Sequence, residues 1–94
     1  MLARVQEAAF DVSAEVTAFQ SAVTRSGAVV SFTGVVRDDT GNLDYMIIEH
    51  YPGMTQAALQ TFTDQATVKF GLEKVLIIHR YGRLQPGEAI MMVV

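Results

Sequence analysis

The chain has 94 residues, half of them hydrophobic, and its ten acidic against seven basic side chains give a formal net charge of −3. This composition predicts one globular domain over residues 1–94 and excludes a disordered chain. The basic residues are scattered and no apolar run is long enough to span a bilayer, so we expect a cytosolic protein that binds neither nucleic acid nor membrane. The absence of cysteine excludes disulfides and thiol chemistry, so any sulfur the protein handles must arrive on another molecule.

The first third of the chain predicts a strand and a helix. Residues 2–9 alternate between apolar and polar side chains, which indicates an edge strand. Asp11 or Ser13 offers an N-cap for a helix over residues 13–25, and Gly27 fits the left-handed position that ends such a helix. Three apolar residues recur at helical spacing on the face expected to pack on the core: Val16, Phe19 and Val23.

The middle of the chain predicts two consecutive strands joined by a hairpin loop. Residues 28–36 form a nearly continuous apolar run, which favours a central strand covered on both faces. Gly34 within it indicates a bulge or a close approach by another backbone or a ligand. The composition of residues 38–42 is typical of a hairpin loop, and residues 43–51 form the returning strand.

A second helix is predicted after that strand. Pro52 and Gly53 end the strand, Thr55 is a good N-cap, and Gly71 fits the left-handed position at the end of the helix. The apolar stripe expected to face the core comprises Ala58, Leu59, Phe62, Ala66 and Phe70.

The remaining residues predict two more strands. Residues 74–81 form one strand, residues 82–87 a turn, and residues 88–94 a last strand on which the sequence stops. Domains seldom end inside an apolar strand. We therefore expect either another chain paired with this edge or a gene product that continues beyond it.

Arg37 is the best candidate for a functional side chain. It ends the apolar strand at the mouth of a loop, where a guanidinium can present several donors to a phosphate or carboxylate. The alternative is a surface arginine paired with Asp38, Asp39 or Asp44. Phe32 is most simply a core residue, although a bulge at Gly34 would bring it to the same side as Arg37.

Other polar residues have simpler structural interpretations. His50 and His79 are far apart in sequence and each is more typical of a structural histidine than of a metal ligand. Asp38 and Asp39 are more typical of solvated loop acids than of a cation site, so no metal is expected. Four other basic side chains are expected to be solvated at strand or helix ends: Lys69, Lys74, Arg80 and Arg83.

Three blocks of sequence resemble the large, catalytic subunit of molybdopterin synthase. They are GAVVSFTGVVRD, IIEHYPGMT and VLIIHRYGRLQPGE, in that family's order and spacing. The resemblance covers residues 27–94, and the first helix agrees loosely. It implies an α+β single domain with a mixed or antiparallel sheet, two helices and a hammerhead-like β element, in the order β-α-β-β-α-β-β.

The resemblance also implies an activity and partners. The family installs two sulfurs as a dithiolene on cyclic pyranopterin monophosphate, without a cofactor. The sulfurs come from the thiocarboxylate at the C-terminal Gly-Gly of a small ubiquitin-like subunit, and two large subunits form the central dimer of a heterotetramer. By position, the family's substrate-contacting residues fall on Val35, Val36 and Arg37, with Phe32 nearby. Some members have a lysine in place of Val35.

This sequence departs from the family in one respect. Members continue beyond Val94 into a segment with a functional His-Arg pair, which is distinct from His79 and Arg80 here, and with two essential lysines. No catalytic residue is therefore expected within this chain, and these 94 residues alone should be inactive. Two alternatives remain: a truncated, non-catalytic module that dimerises or binds the small subunit through an open strand at residues 88–94, and a small-molecule-sensing domain.

Overall fold

The computed structural model describes residues 2–49, 51 and 53–94. In chain order the elements are β1 (Leu2–Gln6), α1 (Val12–Ala22), β2 (Phe32–Val35), β3 (Met46–Ile48), α2 (Met54–Phe70), β4 (Leu76–Arg80), β5 (Gly82–Leu84) and β6 (Ala89–Val93). The predicted α+β class with two helices and a mixed sheet is confirmed. One strand more than predicted is present, because residues 82–84 pair with β3 before the turn begins. His50 and Pro52, named above, lie outside the described residues.

Four strands form the main sheet in the order β1-β4-β6-β2. β1 runs parallel to β4, and the other two pairs are antiparallel. β1 is an edge strand, as predicted. Residues 89–93 form the last strand, as predicted, but the open edge expected there for a non-catalytic module is wrong, because β6 pairs with β4 on one side and with β2 on the other. β6 is therefore an interior strand with no open edge.

β2 and β3 do not form the predicted hairpin. β2 pairs with β6, whereas β3 pairs with β5 in a separate two-stranded sheet. The predicted central position of β2 is also wrong, because β2 is an edge strand and both Phe32 and Val35 are exposed. The unbroken apolar run thus reflects uncovered apolar surface rather than burial on two faces.

The two helices lie on opposite faces of the main sheet. Alternate residues of β4 point to opposite faces, so Leu76 and Ile78 pack with Phe19 of α1, and Ile77 packs with Leu59 of α2. Ile78 and Met92 are fully buried on the α1 face. α2 contacts β1 and β4, which leaves the β6 and β2 half of its face without a helix.

Local signals explain how the helices begin and end. The Asp11 side chain accepts the backbone N–H of Ala14 at 3.0 Å and caps α1, as predicted. α1 ends earlier than predicted, at Ala22 with Val23 as its C-cap, so Gly27 is not its terminating residue. α2 begins after Gly53 rather than Thr55, and Gly71 ends it with a left-handed φ of 62°, as predicted.

Part of the apolar stripe predicted for α2 is not buried. Leu59 and Ala66 are half-buried, whereas Phe62 and Phe70 are exposed. The stripe is real, but the sheet beneath α2 covers only the portion near Leu59. Neither helix in the described part of the chain is long and apolar enough to cross a membrane.

Candidate functional site

The candidate substrate-binding residues lie along β2 and just beyond it. Phe32 and Val35 are exposed, Val36 is 3% exposed, and Arg37 extends into solvent. Val36 is held from both directions, since its N–H donates to the carbonyl of Glu88 and its carbonyl accepts from the N–H of Gly87, each at 2.9 Å. The turn at residues 85–88 thus fixes the strand end from which Arg37 projects.

A register shift interrupts the pairing of β2 with β6. Gly34 pairs with Met91 and Val35 with Ala89, so β6 supplies the extra residue. A Cβ on Gly34 would lie 3.4 Å from Cγ of Met91. The bulge predicted at Gly34 is confirmed, whereas the neighbouring atoms belong to the Met91 side chain at ordinary van der Waals distance and not to another backbone.

The bulge does not bring Phe32 and Arg37 to one side. Because the extra residue is on β6, alternation along β2 continues, and residues five positions apart point to opposite faces. Phe32 lines the α2 face of the sheet, in register with Val93. Arg37 and Val35 therefore belong to the other face.

The Arg37 side chain is paired at the surface. Its Nε lies 3.1 Å from Oδ1 of Asp39, with the two side chains 82% and 69% exposed. This is one of the pairings weighed from the sequence. An ion pair this exposed contributes about 0 to 1 kcal/mol, so an incoming anion can compete with Asp39 for the guanidinium.

Asp38 organises the loop that follows Arg37. One carboxylate oxygen accepts from the N–H of Thr40 at 3.1 Å and of Gly41 at 2.9 Å, and the other from the N–H of Leu43 at 2.9 Å. The hydrogen bond from Leu43 is the main cause that holds the pKa of Asp38 below its usual range. Asp38 is thus a loop-closing residue, which the Asp-Asp-Thr-Gly composition of the loop could have indicated.

The other polar candidates take structural positions. His79 Nδ1 lies 2.8 Å from the carbonyl oxygen of Arg80, and since a carbonyl only accepts, that nitrogen carries the proton. Across the described residues, no three His, Asp or Glu side chains are grouped as metal ligands would be. In the IIEHYPGMT block, the Tyr51 hydroxyl donates to the Glu49 carboxylate, and this bond raises the pKa of Tyr51.

Arg80 is not solvated, contrary to the sequence-based expectation. It is 6% exposed, and its Nε and Nη2 donate to the carbonyl of Glu7 at 3.0 and 2.9 Å. Its Nη1 lies 2.7 Å from the carboxylate of Glu88. Arg80 therefore ties the end of β1 to the turn before β6. The exposed Arg83 stacks at 3.9 Å on the ring of Tyr45.

The two lysines lie over aromatic rings rather than beside Arg37. Lys69 Nζ is 5.3 Å from the ring centroid of Phe70, and Lys74 Nζ is 5.0 Å from that of Phe19. Both were expected to be solvated charges, and these contacts are cation–π interactions. The sequence contains no other lysine.

Comparison with known proteins gives a consistent result. A family model described as MoaE protein matches residues 5–94. The chain is 46% identical to the molybdopterin synthase catalytic subunit of Rhizobium meliloti over 90 residues, which is 96% of this chain and 58% of the relative. It thus spans less than two thirds of that protein.

Solved structures agree in fold. The molybdopterin biosynthesis MoaE protein from Burkholderia ambifaria superposes with a TM-score of 0.85 at 40% identity, over 97% of this chain and 60% of that one. Molybdopterin synthase from Staphylococcus aureus gives a TM-score of 0.79 at 25% identity, over 96% of this chain and 66% of that one. Both structures contain substantial chain that has no counterpart here.

Proposed function

We propose, because this chain belongs to the MoaE protein family, that it supplies the substrate-anchoring part of a molybdopterin synthase catalytic subunit. The reaction is sulfur transfer from the C-terminal thiocarboxylate of a small ubiquitin-like subunit to cyclic pyranopterin monophosphate. Each thiocarboxylate that gives up its sulfur ends as a carboxylate, and two sulfurs form the dithiolene. The proposed partners are that small subunit and a second large subunit, and the proposed location is the cytoplasm.

The position of Arg37 is the observation that carries this proposal. Its guanidinium projects from a strand end whose backbone is fixed by Gly87 and Glu88, and among the described residues it pairs with the solvent-exposed carboxylate of Asp39. A guanidinium held in this way can bind the phosphate of the precursor through paired donors. Val35, exposed on the same face, forms the adjoining surface, and the buried Val36 contributes through the backbone hydrogen bonds that fix the strand end. Phe32 would contribute only from the opposite face.

The chain's own residues support anchoring rather than bond-breaking. The sulfur-transfer chemistry that the family resemblance implies needs lysines, and both lysines of this chain lie over aromatic rings. With no cysteine in the sequence, sulfur cannot reside on the chain itself. We therefore expect the 94-residue chain to bind precursor weakly and to form no molybdopterin alone.

The test is precursor binding measured by calorimetry, together with a synthesis assay. Wild-type chain and Arg37→Ala are compared, with Arg83→Ala as a matched exposed arginine on β5. We expect Arg37→Ala to weaken precursor binding by about tenfold, the loss of one charge-assisted contact, and Arg83→Ala to leave it unchanged. Equal affinity in wild type and Arg37→Ala would remove Arg37 from the site.

The synthesis assay separates this role from a non-catalytic one. The Rhizobium meliloti relative, carrying an alanine at the position matched to Arg37, is mixed with thiocarboxylated small subunit and precursor. Loss of product formation supports the anchoring role. Full activity in that variant would favour the alternative module, which only docks the small subunit or a second copy.

A further inference from the structure

One end of the main sheet brings together the ends of β1, β4 and β2 and the start of β6. Gln6 pairs with Arg80 there, and Val35 pairs with Ala89. Arg37 follows Val35 by two residues, so it emerges from this same end of the sheet. Arg80, a charged residue, is only 6% exposed there.

The Arg80 guanidinium links the two sides of this end of the sheet. Its Nε and Nη2 donate to the carbonyl of Glu7, which follows β1, and its Nη1 donates to the carboxylate of Glu88 at 2.7 Å. The backbone carbonyl of Glu88 accepts the N–H of Val36 at 2.9 Å, and the N–H of Gly87 donates to the carbonyl of Val36. Hydrogen bonds therefore connect β1 to the residue that precedes the anchoring arginine.

The contact between Arg80 and Glu88 lies beyond the backbone pairing of β4 with β6. That pairing ends at His79 and Met91. The turn before β6 is closed on itself, since the N–H of Glu88 donates to the carbonyl of Gln85 at 3.1 Å. This bond does not attach the turn to β4. The ion pair from Arg80 does so, and it extends the attachment of β6 past the last paired position.

The bulge makes this extra attachment necessary. Met91 pairs with Gly34 and Ala89 pairs with Val35, which leaves Ile90 as the extra residue between the sheet and the turn. A bulge interrupts the pairing and bends the strand that carries it. The backbone ladder alone therefore fixes the start of β6 less firmly than the rest of the strand.

We propose that Arg80 and Glu88 are positioning residues for the anion site at Arg37. They hold the turn, and through it the backbone of Val36, without touching the anion. The exposed pair with Asp39 holds Arg37 only weakly, so the direction of its side chain depends on the backbone from which it projects. A site that is fixed before binding has a smaller ordering cost. This inference rests on the proposed anchoring role of Arg37.

The charge of Glu88 allows positioning to be separated from electrostatics. Removing a carboxylate from the neighbourhood of an anion site normally tightens anion binding, because like charges repel. Positioning predicts the opposite sign. Glu88→Ala removes the charge and the acceptor for Arg80, whereas Glu88→Gln removes the charge but keeps an oxygen that can accept from Nη1. Glu88 is the residue varied, since loss of the buried Arg80 guanidinium is expected to destabilise the whole fold.

The test is a titration of the pyranopterin precursor into the 94-residue chain and its variants, followed by NMR spectroscopy. We expect Glu88→Ala to weaken binding by about threefold to tenfold, no more than the loss of Arg37 itself. Glu88→Gln should stay within about twofold of the wild type. Because the effect passes through Arg37, adding Glu88→Ala to Arg37→Ala should cause no further loss.

Glu73→Ala is the matched control. The Glu73 carboxylate fixes the connection at residues 24–26, which leads to the opposite end of β2. Its removal should lower the stability of the fold in urea denaturation but leave precursor affinity unchanged. An equal loss of affinity in Glu73→Ala and Glu88→Ala would show a general effect of destabilisation and overturn the positioning role.

Hydrogen exchange of the Val36 amide gives a second measurement that needs no ligand. This N–H donates to the Glu88 carbonyl, so its exchange should be faster by about tenfold in Glu88→Ala and little changed in Glu73→Ala. Unchanged exchange in Glu88→Ala contradicts the proposal.

The binding results also separate the two roles. If Arg37→Ala loses affinity while Glu88→Ala binds as well as the wild type or better, the positioning role is wrong and the anchoring role stands. If Arg37→Ala binds as the wild type does, the anchoring role is wrong and the positioning role fails with it.

Discussion

The carboxylate of Glu73 accepts the backbone N–H of Thr24 at 2.8 Å, joining the start of β4 to the end of α1. The same carboxylate accepts the N–H of Arg25 at 2.8 Å and the hydroxyl of Ser26 at 3.1 Å. Glu73 thereby fixes the connection that leads into β2. The hydrogen bond from Thr24 is the main cause that lowers the pKa of Glu73 from its usual value.

We expect Glu73 to make folding stability depend on pH in the acid range. A carboxyl with a lowered pKa in the folded state stabilises that state above its unfolded pKa, and this contribution is lost as the pH falls through the folded pKa. Glu73→Gln should therefore lower the unfolding midpoint at pH 7 and flatten its decline below pH 4.5. Thermal denaturation at a series of pH values measures both effects. Asp44→Asn, an exposed loop carboxylate, serves as the control and should leave the midpoint at pH 7 unchanged.

Arg80→Met should be strongly destabilising. The substitution leaves the carbonyl of Glu7 and the carboxylate of Glu88 without the donors described above, and a buried pair broken on one side costs about 3 to 5 kcal/mol. Because the Glu88 side chain is 37% exposed, we expect a smaller cost than this, about 2 to 3 kcal/mol, in urea denaturation. Arg83→Ala should cost only about 0.5 to 1 kcal/mol, the value of an exposed cation–π contact. Equal costs for the two arginines would contradict the structural role of Arg80 in linking Glu7 to Glu88.

Two glycines should respond in opposite directions to alanine. Gly82 has a φ of +88°, and a Cβ there would lie 3.2 Å from Cγ of Glu7, so Gly82→Ala should cost about 1 to 2 kcal/mol. Gly27 has no positive φ and no atom within 4 Å of the added Cβ. Gly27→Ala should therefore stabilise the fold by about 0.4 to 1 kcal/mol. A destabilised Gly27→Ala would instead favour the left-handed helix end that the sequence alone suggested.

Asp39→Asn should leave stability unchanged while altering anion binding. The pair with Arg37 is exposed on both sides, so its loss should change the free energy of unfolding by less than about 0.5 kcal/mol. Without the competing carboxylate, Arg37 should bind the anionic precursor more tightly. Calorimetric titration at two salt concentrations checks this, since the gain should shrink as salt screens the charges. A gain in affinity that is independent of salt, or a loss of affinity, would contradict the role of Asp39 as a competitor for Arg37.

Local sequence signals predicted the elements better than their pairing. The Asp11 cap, one of two candidates, and the left-handed Gly71 are decided within a few residues, and both agree with the structure. The strand that pairs with β2 is β6, which lies more than fifty positions later in the sequence. Nothing in residues 28–51 distinguishes that pairing from a hairpin. The apolar pattern of residues 28–36 would also be the same whether these side chains were buried or exposed.

The candidate site shows the same division. The exposed position of Arg37 at a strand end could be predicted from its place after an apolar run. Whether Phe32 and Arg37 lie on the same face of the sheet could not be predicted, because the answer depends on which strand carries the extra residue of the bulge. The burial of Arg80 also escaped prediction, since its partners Glu7 and Glu88 come from separate parts of the chain.

The interior position of β6 has a consequence for synthesis on the ribosome. β4 can pair with β1 as soon as residue 80 has been made, but β2 has no partner in the main sheet until residues 89–93 emerge. During that interval the apolar residues of β2 and one edge of β4 remain open to other chains. Because β6 completes the main sheet and its partners are distant in sequence, we expect slow folding. We also expect the nascent chain to need protection from aggregation until β6 has been made.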